Sequence, residues 1–373
     1  MKIKRHAAVI SFVAVGALAL SACGTDDNSP DTNPGGQANA ACNGKESLKA
    51  SGSSAQANAV TRFANAYEDA CQGKSLDYTS SGSGAGVKDF IGRQTDFAGS
   101  DSPLDPEDGE VKDAKQRCDG NDAWHLPIVF GPIAITYNVP GVDKVALDAP
   151  TLAKIFSGQI KKWNDPAIAK LNEGAKLPDQ NITVIYRNDE SGTTDNFQKY
   201  LDAASNGVWK GGDGKTFNGD VGEGAKGNEG TSAAVKGTPG SITYNEWSYA
   251  EQQNLAIANI VNSGGGKPVE LSEESVGKAI EGAKLEGEGH DMRLDLESLY
   301  KADAQGAYPL VLATYEIVCS KYSDPATANA VKSFLQIAIN DGQQGLADNG
   351  YIPVPQAFKQ KLESSVKAIS STS

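Results

Sequence analysis

A short strand, a small polar loop and then a helix recur three times along this chain, with the loops at residues 51–56, 80–86 and 187–194. Ala59, Val60, Phe63 and Tyr67 fall at helical spacing, which predicts an amphipathic helix over 56–70 behind a strand at 47–50. Residues 76–79 form the next strand, and Val87, Phe90 and Ile91 open the helix behind its glycine-rich turn. Residues 96–101 read as a third strand that ends in a polar loop. Repeated units of this kind give an α/β fold with a mainly parallel sheet flanked by helices, and such sheets bind ligands at the carboxyl ends of their strands. All three polar loops lie at those ends.

Residues 126–137 and 308–319 are long apolar stretches interrupted by Pro or Gly. They bracket a middle section with its own strands, at 182–186 and 241–244, and a glycine-rich loop over 211–230. Helical patterns such as 328–339 follow the second stretch. The two stretches read as crossings between two lobes joined by a hinge, lobe I from 43–128 plus 308–373 and lobe II from 129–307. With 373 residues, 39% of them hydrophobic, the chain can build two cores.

At the N-terminus Lys2, Lys4 and Arg5 precede an apolar run from Ala7 to Leu20, too short to span a membrane and laid out like a signal peptide over 1–22. Leu20-Ser21-Ala22-Cys23 resembles a bacterial lipobox, which implies cleavage before Cys23, acylation of that cysteine and anchorage at the outer face of the cell membrane. The plainer alternative is an ordinary signal peptide with a coincidental cysteine. Residues 23–42 lack hydrophobic periodicity and are rich in Gly, Pro, Asn and Asp, as in a flexible tether.

Cys42, Cys71, Cys118 and Cys319 remain, an even number in an exported chain, so disulfides are expected. Of three possible connectivities, Cys42 with Cys71 is preferred, because one precedes the first strand and the other ends the first helix; Cys118 with Cys319 follows by elimination. No CxxC occurs, and the mature chain holds only His125 and His290, so neither a metal nor a cofactor is expected. The formal net charge of −13 becomes three units more negative when Lys2, Lys4 and Arg5 leave with the signal peptide, which argues against nucleic acid as a partner. Anion binding is still open to such a chain, because backbone dipoles and a buried arginine act locally while distant surface charge is screened within about 10 Å.

The third loop reads Arg187-Asn188-Asp189-Glu190-Ser191-Gly192-Thr193-Thr194. It sets a guanidinium, two hydroxyls and free N–H groups at one helix start, a combination suited to a small tetrahedral oxyanion. Ser or Thr at such a position also caps helices that bind nothing. The planar fork of Arg187 adds the functional weight, with Asp189 placed to hold it. The stretch 81–86 is not GxGxxG, because Val87 takes the place of the third glycine, nor is it GxSxG; and Gly214-Lys215-Thr216 fails the P-loop pattern because Trp209 occupies the first glycine position. Asp101 reads either as a solvated loop acid or as part of the anion site. In the second case it admits only an anion that carries a proton, as phosphate does at neutral pH and sulfate does not.

These stretches, with Gly82-Ser83-Gly84-Ala85-Gly86-Val87-Lys88, Asp96-Phe97-Ala98-Gly99-Ser100-Asp101, Ile155-Phe156-Ser157-Gly158-Gln159-Ile160-Lys161-Lys162-Trp163 and Gly227-Asn228-Glu229-Gly230, make the chain similar to the phosphate-binding protein of the bacterial phosphate-specific ABC transporter, over about residues 50–356. The resemblance implies a two-lobed periplasmic-binding-protein fold of type II that closes on phosphate. It implies contacts from Ser54 and Ala55 in the first loop, Ser83 in the second, Asp101 in the third, and Arg187, Ser191, Gly192 and Thr193 in the other lobe. The first loop departs from the family's Gly-x-Gly-x-Thr-Phe-Pro, since Ala50-Ser51-Gly52-Ser53-Ser54-Ala55-Gln56 keeps a hydroxyl but lacks the aromatic and the proline.

The expected function is a monomeric, lipid-anchored binding protein that hands inorganic phosphate to the permease subunits of an ABC importer. Two alternatives are a phosphatase or serine hydrolase, for which no histidine stands in a recognisable base motif, and an anion-binding surface module not coupled to transport.

Overall fold

A computed structural model describes residues 42–372. The signal peptide, Cys23 and the tether up to residue 41 lie outside them. The first three units appear in the expected order: β1 (Ser47–Gly52), α1 (Ala57–Ala70), β2 (Ser75–Ser80), α2 (Ser83–Ile91) and β3 (Phe97–Ser100). Helix α1 buries Ala59, Val60, Phe63 and Tyr67, the four residues whose spacing predicted it. Then come β4 (Ala123–Asn138), β5 (Thr183–Arg187), α3 (Gly192–Ala204), β6 (Glu223–Ala225), α4 (Gly227–Gly237), β7 (Ser241–Glu246), β8 (Val311–Cys319) and α5 (Pro325–Ala338).

These eight strands lie in one sheet in the order β2-β1-β3-β8-β4-β7-β5-β6, with the short strand Ala256–Ile257 added to β4 as a ninth. Parallel pairing holds at both ends, where β1 lies between β2 and β3 and β5 between β7 and β6. The centre is antiparallel, because there the chain crosses in one direction through β4 and returns through β8. Strand β4 serves both ends: Ala123 to Pro132 pair with β8, and Ile133 to Asn138 pair with β7. Pro132, which has no N–H to donate, stands at the change of partner, where its cost is lowest. Every residue of β8 is buried and so is Leu126 to Tyr137 of β4, which is why both read as unbroken apolar runs.

The end of β1 and the end of β3 approach so closely that a Cβ on Gly52 would sit 1.9 Å from the Gly99 carbonyl oxygen. Glycine is required at 52 on that ground and by its φ of +143°. No helix of the described residues is long and apolar enough to cross a membrane.

Cys42 is bonded to Cys71 and Cys118 to Cys319, which are the pairs preferred from the sequence. The first closes a loop with a sequence separation of 29 residues. Replacing both of its cysteines by serine should lower the unfolding free energy by about 3 to 4 kcal/mol through the entropy of the unfolded chain. Denaturant unfolding of the folded domain checks this; a loss under about 1 kcal/mol would mean that the unfolded chain is already compact there.

Candidate functional site

The carboxylate of Asp101, 1% exposed, lies where three elements meet. Ser53, just after β1, donates to its Oδ1 at 2.5 Å, and Thr314 of β8 donates to the same oxygen at 2.8 Å. Thr193, in the first turn of α3, donates to Oδ2 at 3.2 Å. The Asp101 N–H donates to Ser83 Oγ at 3.2 Å, and Asn196 Nδ2 donates to the Asp101 carbonyl at 2.9 Å. Each carboxylate oxygen has two lone pairs, so Oδ1 is filled and Oδ2 keeps one acceptor position. Burial raises the Asp101 pKa, opposed by its Ser53, Thr314 and Thr193 hydrogen bonds and by the charge of Arg187.

Thr314 reaches Asp101 through the antiparallel register of β8 with β3, in which Tyr315 lies opposite Ser100 and Thr314 therefore next to Asp101; on the other side of β8 the ladder with β4 is irregular, with Thr314 opposite Val129 and Tyr315 opposite Pro127. The extra residue, Ile128, is a bulge in β4, a device that commonly re-aims side chains beside binding sites.

Arg187, at the end of β5, is 2% exposed. Asp189 grips it from one side, with Nε to Oδ1 at 2.8 Å and Nη2 to Oδ2 at 2.5 Å, and Gly227 N–H donates to Asp189 Oδ1 at 3.1 Å. Burial works to raise the Asp189 pKa, but the Arg187 fork, its charge and the Gly227 N–H outweigh it and hold the carboxyl below its usual range. Nη1 of Arg187 is buried with no hydrogen-bond partner in the protein. A guanidinium fixed on one edge in this way offers its remaining N–H groups to a further acceptor.

Ser191 caps α3 by accepting from Thr194 N–H at 3.1 Å. Its neighbour Gly192 lies against the opposite loops: a Cβ there would come within 2.6 Å of both Asp101 Cβ and Ser83 Oγ. Only a residue without a side chain allows that approach, so Gly192 is the point at which the start of α3 meets the start of α2 and the loop just after β3. Ser54 Oγ accepts from both the backbone N–H and Nδ2 of Asn228, each at 3.0 Å. The Ala55 N–H donates to Ser53 Oγ at 3.0 Å.

Two more carboxyls are buried nearby. Glu246 accepts from Ser248 N–H at 2.9 Å and from the Ser248 hydroxyl; burial still pushes it well above the usual range. Glu316 of β8 is pushed up to about 8 by burial, against the pull of the Gln56 side chain and with help from the charge of Asp101. A carboxyl raised in this way binds a proton in the folded state that the unfolded chain has already released. Its contribution to stability is therefore complete below the ordinary value of 4.5 and is lost as pH rises through about 8. Glu316→Gln should leave stability near that of the wild type at about pH 5 and exceed it at about pH 8, the gap growing by at most about 1.4 kcal/mol per pH unit. Denaturant unfolding at the two pH values checks this, and a gap independent of pH would mean that Glu316 does not titrate in that range.

A model of the PBP superfamily domain matches residues 35–341. The phosphate-binding protein PstS3 of Mycobacterium bovis is 58% identical, the match covering 99% of this chain and all of that one. The chain belongs to the PstS family of phosphate-binding proteins. PstS of Haemophilus influenzae is 35% identical over 84% of this chain and 94% of its own. The periplasmic phosphate-binding protein PfluDING, solved with phosphate bound at pH 8.5, shares the fold with a TM-score of 0.68 at 21% identity, over 85% of this chain and 93% of that one.

In this PstS chain the structure brings Ser83, Asp101, Gly192 and Thr193 into direct contact and places Arg187 within electrostatic reach of Asp101. Ser191 serves its helix, and the Ala55 N–H is engaged by Ser53. Where the family pattern has an aromatic and a proline, Gln56 lies over Gly99 and donates to Tyr78 OH at 3.1 Å. Two tyrosines hold the loop: Tyr249 OH donates to the Ser54 carbonyl at 2.9 Å and Tyr351 OH to that of Ala55 at 2.7 Å. The sequence reading missed Ser53, Thr314, Asn196, Asn228, Glu246 and Glu316 as neighbours of the site. Of these, Asn228 stood in a quoted motif, Gly227-Asn228-Glu229-Gly230, and Ser53 in the first polar loop.

Proposed function

We propose that this PstS chain is an extracytoplasmic solute-binding protein that captures inorganic phosphate between its two lobes and passes it to the permease subunits of an ABC importer. The observation that carries the reading is the pairing of one open acceptor position on Asp101 Oδ2 with one unpartnered guanidinium nitrogen on Arg187. An anion that both accepts from arginine and donates to a carboxylate must carry charge and a proton together. Phosphate at neutral pH does; sulfate does not. The contacts are assigned to Ser54, Ala55, Ser83, Asp101, Arg187, Ser191, Gly192 and Thr193, and the names of the relatives support the choice of ligand.

The lobes, 43–128 with 308–373 and 129–307, are joined through β4 and β8, and the change of partner along β4 at Pro132 and Ile133 supports a hinge there. Acylation of Cys23 holds the monomer at the outer face of the membrane. Binding rather than catalysis is supported by the histidines. His125 accepts from Leu104 N–H through Nε2 and meets the Asp291 carboxylate through Nδ1, so both ring nitrogens are committed, and His290 lies against Trp124. Calorimetric titration of the protein, stripped of bound anion, should show one phosphate per chain and no heat from sulfate at equal concentration. Equal binding of the two anions would reject the reading.

A further inference from the structure

Asn228, the second residue of α4, is fully buried and touches three elements at once. Its Oδ1 accepts from the Glu246 backbone N–H at 2.8 Å. A backbone N–H can only donate, so this contact fixes which end of the amide is oxygen and turns Nδ2 toward Ser54. The Asn228 N–H and Nδ2 then both donate to Ser54 Oγ, each at 3.0 Å. A serine hydroxyl has two acceptor lone pairs and one proton. With both lone pairs taken by donors that cannot reverse, the Ser54 O–H has no role left but to donate. The same Nδ2 lies 3.5 Å from Thr193 Oγ1, which itself donates to Asp101 Oδ2.

We infer that Asn228 is a positioning residue that locks the Ser54 hydroxyl into the donor role toward the bound anion. The inference rests on the phosphate reading and deepens it by explaining how the first loop keeps its donor without the aromatic and proline of the family pattern. Without the lock, a serine has rotamers in which its oxygen lone pairs face the anion. With it, those lone pairs are occupied, and Ser54 presents only its O–H donor. The contact joins α4 to the loop after β1, 174 residues away, so the lock forms only when those two elements are together.

Two substitutions separate this role from simple packing. In Asn228→Asp the side chain still accepts from Glu246 N–H, but its second oxygen accepts from Ser54, pulls the hydroxyl proton away from the anion and adds a buried negative charge. In Asn228→Ala one lone pair of Ser54 is merely freed. Phosphate affinity is measured by calorimetry for both variants, for Ser54→Ala and for the double variant Ser54→Ala/Asn228→Ala, with heat denaturation of each ligand-free protein as the folding control. Asn228→Ala should weaken phosphate about tenfold when Ser54 is present and less than about twofold when it is alanine. Asn228→Asp should weaken it about a hundredfold or more. Equal losses from Asn228→Ala in both backgrounds, or Asn228→Asp binding phosphate as well as Asn228→Ala, overturns the inference. If Asn228→Asp does not fold, the alanine cycle decides alone. Failure of the wild type to bind phosphate rejects the function itself, and is distinguished because it precedes any variant.

Discussion

Arg187→Ala should abolish measurable phosphate capture at micromolar protein, with affinity falling on the order of a thousandfold. Two losses add. The anion forfeits a charge-assisted contact beside the buried Arg187 and Asp101, and Asp189 is left as a half-buried carboxylate whose main partner has gone. Arg187→Lys distinguishes them, since it retains a positive charge but cannot engage Asp189 through two nitrogens while presenting a third to the ligand. Its affinity should fall between the two. Titration calorimetry on stripped protein measures all three; an alanine variant within about tenfold of wild type would remove Arg187 from the site.

Asp101→Asn should erode the preference for phosphate over sulfate on the order of a thousandfold, while phosphate binding itself weakens far less, because a site built to pair with a ligand O–H rejects most strongly the analogue that lacks it. The amide oxygen keeps the Ser53 and Thr314 hydrogen bonds at the Oδ1 position, and of the side-chain donors only the longer Thr193 contact loses its acceptor. At the Oδ2 position an acceptor becomes a donor. Sulfate then meets an N–H in place of a carboxylate, and the repulsion and desolvation that excluded it are gone. Affinities for both anions at neutral pH give the ratio, and an unchanged ratio would place selectivity elsewhere, with the Ser54 hydroxyl the next group to test.

The features legible in the chain alone are those whose partners are close in sequence or whose pattern is periodic. Arg187 and Asp189 stand two residues apart and Ser191 caps the helix that follows it, so one stretch of eight residues announces half of the site. Helix α1 and the crossings β4 and β8 were readable because burial of one helical face, or of both faces of a strand, imposes a period or an unbroken apolar run. The preference for Cys42 with Cys71 followed from the same local order, one cysteine before the first strand and one after the first helix.

Tertiary structure alone decided the environment of Asp101. Thr314 comes to it from 213 residues away, out of an apolar strand in which a threonine carries no signal, and it is placed by the antiparallel register of that strand with β3. Whether Ser53 or Ser54 would face Asp101 was equally closed to sequence, because adjacent residues differ there only in direction; Ser53 holds the carboxylate and Ser54 is held by Asn228. Buried Glu246 and Glu316 look in sequence like any strand acids, and it is mainly their exclusion from water, with the charge of Asp101, that raises their pKa values. Propensity and periodicity report contacts within a turn or a strand, whereas register, bulges and the meeting of distant loops set which donor reaches which acceptor. The sequence by itself therefore determined the order of elements and the charge of the site, and the packed chain determined which hydroxyls give their protons and which receive them.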